Sequence, residues 1–70
     1  MSADQTTLHD WLQLIRSEYE ELPDLRLNQS QVESLWGLDA MTAEALLAAL
    51  VSAGVLKRTR HGAYVRADAG

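Results

Sequence analysis

Apolar residues early in the chain keep a helical rhythm. Leu8, Trp11, Leu12, Ile15, Tyr19 and Leu22 recur three and four positions apart until Pro23 ends the series. That spacing places them on one stripe of a helix of period 3.6, with Asp10, Gln13, Arg16, Ser17 and Glu20 on the polar side. Thr7 followed by Asp10 fits a capping box at the helix start. Leu25-Arg26-Leu27 then alternates as a short strand does.

A second, brief helix follows. Asn28 or Ser30 offers its N-cap, with Gln31 or Glu33 three residues on to complete the box. Val32, Leu35 and Trp36 share its apolar side, and Gly37 suits a left-handed position just past its end. Asp39 is the natural N-cap of a third helix, Ala40 to Ala53, because a carboxylate there can accept from the free first-turn amides. Ala43, Leu46, Leu47, Leu50 and Val51 form its expected buried face; Met41, Glu44, Ala45, Ala48, Ala49 and Ser52 face away. Gly54 closes it. Val55–Thr59 and Ala63–Ala67 read as two strands around a primed two-residue turn at His61-Gly62, which sets Arg60 opposite Ala63, Arg58 opposite Val65 and Leu56 opposite Ala67. One face of that hairpin then carries Lys57, Thr59, Tyr64 and Arg66, with Lys57 opposing Arg66.

Size narrows what these elements can build. Seventy residues allow one small domain, expected over residues 7–67, with a flexible N-terminus at 1–6 and a flexible tail at 68–70. With no cysteine, packing of Leu, Val, Ala and two Trp must supply the stability. No apolar run is long enough to span a bilayer, and the first residues lack a signal-peptide pattern. A cytoplasmic protein, complete from Met1, is the expectation.

Charge changes the picture more than composition does. The net charge is −4, yet it is unevenly spread. Before Lys57, nine carboxylates face only Arg16 and Arg26; from Lys57 to Arg66 there are four cations and no acid. Glu18, Glu20, Glu21 and Asp24 crowd the end of the first helix, where the macrodipole disfavours negative charge. They read either as a solvated face or as an acidic patch for a basic partner. His9 and His61 have no ligand spacing around them. No nucleophile comes with a base and an orienting group, and there is no glycine-rich phosphate loop. The expectation is a non-enzyme with no cofactor, no metal, no small-molecule substrate and no membrane partner.

The order helix, strand, helix, turn, helix, hairpin, carried by Leu35-Trp36-Gly37-Leu38-Asp39, by Glu44 to Leu56 and by Lys57 to Arg66, resembles the winged helix-turn-helix domain. It is similar to the DNA-binding half of bacterial MarR-like regulators and to small free-standing bacterial winged-helix proteins. The resemblance covers roughly residues 7–67. It implies an α+β, mostly helical fold of three helices with a C-terminal hairpin wing, and a transcription-regulator type of DNA binding. In that family the third helix enters the major groove and the wing lies along the backbone. Lys57, Arg58, Arg60, His61, Tyr64 and Arg66 would then form the wing contacts, with Thr42 and Ser52 as minor helix contacts. The third helix has no Arg, Lys, Asn or Gln for bidentate base readout, so double-stranded DNA would be held mainly by the wing and with little sequence preference. Four phosphate contacts from Lys57, Arg58, Arg60 and Arg66 predict a log–log salt slope of about −3.6.

Each surface also has a plainer reading. The hairpin can be an edge kept soluble by its charges. The outer face with Met41, Ala45, Ala48 and Ala49 can be helix built from the best helix former, or a docking surface for a protein partner or a second copy of the chain.

Overall fold

The computed structural model describes residues 8–68. Thr7 and the expected flexible N-terminus lie outside them, as do the last two residues of the expected tail. The elements in order are α1 (Leu8–Glu21), β1 (Leu27–Asn28), α2 (Gln29–Trp36), α3 (Ala40–Ser52), β2 (Leu56–Arg58) and β3 (Ala63–Arg66). The fold is α+β, with three helices and one antiparallel sheet of strand order β1-β3-β2. No single helix among the described residues is long and apolar enough to cross a membrane.

One core joins every layer. Ile15 and Tyr19 of α1, Val32 of α2, Ala43, Leu46, Leu47 and Leu50 of α3, and Leu56 of β2 are buried together. Trp11, Leu12, Leu25, Leu27, Trp36, Leu38, Val55 and Tyr64 pack around them, half-buried. The apolar stripes overreach at their ends. Leu8 (56%), Leu22 (52%) and Leu35 (58%) are exposed. Leu8 and Leu22 sit at either end of the α1 stripe, where it runs past the core. Val51, expected on the buried face of α3, is 38% exposed and lies at the edge of that face.

Among the described residues, Tyr19 is the only side chain with a polar atom in this core, and its hydroxyl donates to the Tyr64 carbonyl at 2.8 Å. That bond ties α1 to the central strand. Burial pushes the phenol pKa up to about 12, against a smaller opposing influence of the Leu27 backbone.

The junctions follow their capping chemistry closely. Pro23-Asp24 turns the chain, and the Leu25 amide bonds back to Leu22 O at 2.8 Å. This turn delays strand pairing, so β1 starts at Leu27 and not at Leu25. Asn28 then ends β1 and caps α2. Its side chain accepts from the Gln31 amide, while the Gln31 side chain accepts from the Asn28 amide, both at 2.8 Å. This reciprocal pair satisfies two donors at once. Gly37 takes the left-handed conformation (φ 64°) that lets the chain leave α2 abruptly. Asp39 occupies the N-cap of α3 with extended backbone, but its side chain forms no capping bond to a first-turn amide. The Thr42 hydroxyl beside it is the main influence holding its carboxyl below the usual carboxylate range. Gln29 strengthens the junction by donating to Glu33 at 3.1 Å and to the Ala40 carbonyl at 3.3 Å. Past α3, Gly54 N–H bonds to Val51 O and Val55 N–H to Leu50 O, the paired bonds of a Schellman ending.

Candidate nucleic-acid interface

The hairpin register differs from the expected one by a single residue. Leu56 faces Arg66, Lys57 faces Val65 and Arg58 faces Tyr64. A primed two-residue turn of the Asn-Gly kind needs positive φ at both central residues. Among the described residues only glycines have positive φ, and here it is Gly62 alone (83°). The loop therefore has three residues, Arg60-His61-Gly62. Gly62 N–H bonds to Thr59 O at 3.0 Å, Thr59 N–H bonds to Ala63 O at 2.7 Å, and the Thr59 hydroxyl accepts from Ala63 N–H at 3.1 Å. This is a tight turn followed by a left-handed glycine.

A one-residue slip exchanges faces. Arg58, Tyr64 and Arg66 share the core side of the sheet with Leu56, while Lys57, Thr59 and Val65 look outward. Lys57 therefore does not oppose Arg66, and the expected repulsion does not arise. Tyr64 is packed against the core and not free to stack on a ligand.

The cations separate into three groups. Arg58 and Arg60 are exposed around the turn, next to exposed His61, and have no ion pair among the described residues. Arg58 bends toward the turn, its guanidinium 3.8 Å from where a Cβ on Gly62 would stand. Lys57 lies on the outer face. Arg66 is held by Asp68 through two bonds of 3.0 and 2.7 Å, the bidentate pairing typical of arginine and carboxylate. The same guanidinium is the main influence holding the Asp68 carboxyl below its ordinary range. Asp68, expected in a flexible tail, is thus the partner of a residue expected in the wing. Its chemistry was legible: a carboxylate two positions beyond an arginine on an outgoing strand can reach back to it.

Arg66 also lines a cleft with Arg16, Tyr19, Glu20 and Asp68, next to the end of α3. There Arg16 pairs with Glu20 at 3.2 Å, so this cleft balances its own charge.

The outer side of α3 is as expected in makeup. Met41 (78% exposed), Glu44, Ala45, Ala48, Ala49 and Ser52 are all at the surface. Thr42 is half-buried beside Asp39. Thr42 and Ser52 are about 15 Å apart along the helix at 1.5 Å per residue, so they do not form one contact point. No group of three or more His, Cys, Asp or Glu among the described residues could hold a metal ion. Comparison with protein-family models, curated proteins and solved structures finds no match to this chain.

Proposed function

We propose that this is a winged helix-turn-helix domain that binds double-stranded DNA through its hairpin, as a regulator with weak sequence preference. One observation carries the reading. The axes of α2 and α3 turn by 114° across the short connection Gly37-Leu38-Asp39, and α3 leads directly into the basic hairpin. Helix-turn-helix units cross at about 90–120° over a turn of three or four residues. The strand order β1-β3-β2 and the uncovered outer side of α3 agree with that arrangement.

Charge assigns the work within it. Arg58 and Arg60 at the turn, with Lys57 beside them, contact phosphates; Thr42 and Ser52 add little. The α3 face has no group that forms the bidentate pairs by which bases are told apart. A titration of a mixed-sequence duplex at low salt tests the reading. It predicts binding that weakens steeply with salt and hardly changes with sequence. Absence of binding at low salt would overturn it.

The α3 surface supports a second reading, contact with a protein. Among the described residues, Met41 is the most exposed of the large apolar side chains, Val51 is partly exposed, and the alanines between them let another helix approach closely. This reading predicts that Ala48→Arg abolishes association with a partner or a second copy, while Arg58→Ala/Arg60→Ala leaves it intact.

A further inference from the structure

The Leu27↔Tyr64 register, extended by one residue, brings Arg26 beside Val65, and Val65 is itself opposite Lys57. Val65 and Lys57 thus form one row across the outer face of the sheet, and Arg26, one residue before β1, stands at the end of that row. Thr59 and Ala63 make the next row toward the turn. Arg26, Lys57, Thr59 and Val65 line one open groove with Pro23, Asp24 and Leu25. Arg26 is exposed and has no ion pair among the described residues. In sequence it sits among the acidic residues of the first half, far from the hairpin cations. The sheet brings it to them.

We infer that this outer face is a phosphate-contacting surface for double-stranded DNA, with Arg26 and Lys57 gripping the backbone on either side of Val65. The inference rests on the DNA-binding reading and deepens it: the duplex lies along the outer side of the sheet as well as at the turn. Neighbouring strands are about 4.8 Å apart, so two cations on the flanking strands stand about 10 Å apart. Two cations so spaced can each meet a different phosphate of one DNA strand. Val65 between them, with Thr59 in the next row toward the turn, forms a small, uncharged floor that a sugar–phosphate backbone can approach. Arg26 therefore replaces Arg66 among the phosphate contacts, because Arg66 is turned to the other face and engaged by Asp68. Asp24 in the groove opposes the bound anion.

The test is a fluorescence-anisotropy titration of one duplex across salt with the wild type, Arg26→Ala, Arg26→Lys, Arg66→Ala and Asp24→Asn. Removing one cation that neutralises a phosphate should reduce the log–log slope by about 0.9. Arg26→Ala is expected to show that reduction and a severalfold loss of affinity. Arg26→Lys should keep the slope, Arg66→Ala should leave it unchanged, and Asp24→Asn should tighten binding. A wild type that binds while Arg26→Ala keeps its slope overturns the inference and leaves the DNA-binding reading standing. A wild type that does not bind at low salt overturns both.

Discussion

The third helix and the hairpin that follows it divide two tasks that DNA-binding modules commonly combine. The helix presents an outer face of methyl groups, one methionine, one carboxylate and the Ser52 hydroxyl. The hairpin presents exposed cations with little apolar surface around its turn. Shape complementarity and charge complementarity thus reside on different elements. A contact made by one does not require the other, so the proposed DNA contact and the alternative protein contact fall on different elements.

The strongest way to sharpen this contrast is to strike the two faces of α3 separately. Leu46→Ala removes a fully buried side chain and is expected to cost about 2–5 kcal/mol. A domain of this length has about 4–10 kcal/mol in total, so chemical denaturation should show most of the cooperative transition lost. Ala48→Arg on the exposed face should leave the denaturation midpoint nearly unchanged. An equal loss from both variants would mean that the outer face is also packed.

Next in size is the bond joining α1 to the central strand. Tyr19 remains protonated to about pH 12 in the folded protein, whereas an unfolded tyrosine ionises near 10. Its contribution is therefore complete below about pH 10 and is lost as pH rises toward 12, by about 2–3 kcal/mol. Urea denaturation across that range should show the loss in the wild type, and a smaller one in Tyr19→Phe. At neutral pH the same substitution should cost about 1 kcal/mol through the missing hydrogen bond.

The turn comes third. Gly62→Ala forces a side chain into a left-handed conformation at a cost of about 1–2 kcal/mol, while Gly62→Asn should cost less. Thermal melts of the two variants check this, and equal stability of all three proteins would argue for a different loop.

What the chain made legible divides along the same line. Ala43, Leu46, Leu47 and Leu50 on the inner face of α3 follow from helical period alone, whereas Val51 at its edge stays exposed. Gly37 follows from local chemistry, and of the two capping boxes that chemistry offered, the Asn28–Gln31 pair is the one formed. The hairpin register did not follow, since His61-Gly62 looks like a two-residue turn until the backbone of His61 is known. That single residue reassigned Tyr64 and Arg66 to the core side. The role of Arg26 stayed hidden for a related reason. Its place across Val65 from Lys57 depends on the pairing of β1 with β3, which no local pattern reveals. The clamp of Asp68 on Arg66, by contrast, lies only two residues past the last cation and is local chemistry.

The smallest expected effect concerns that clamp. Asp68 should titrate below the usual carboxylate range, and Arg66→Ala should return its midpoint upward, as read by NMR of the side-chain carboxyl. The ion pair's contribution is present at neutral pH and fades as acid protonates Asp68. An unchanged midpoint would return Arg66 to the pool of available cations.

The division between helix and hairpin is tested most directly by one comparison of duplex affinity at low salt. Arg58→Ala/Arg60→Ala is set against Met41→Ala/Thr42→Ala/Ser52→Ala, with the fold of each checked by circular dichroism. The hairpin variant should lose at least tenfold in affinity and about 1.8 in salt slope, while the helix variant stays within twofold of the wild type. The reverse outcome, with affinity lost in the helix variant and retained in the hairpin variant, would contradict this account.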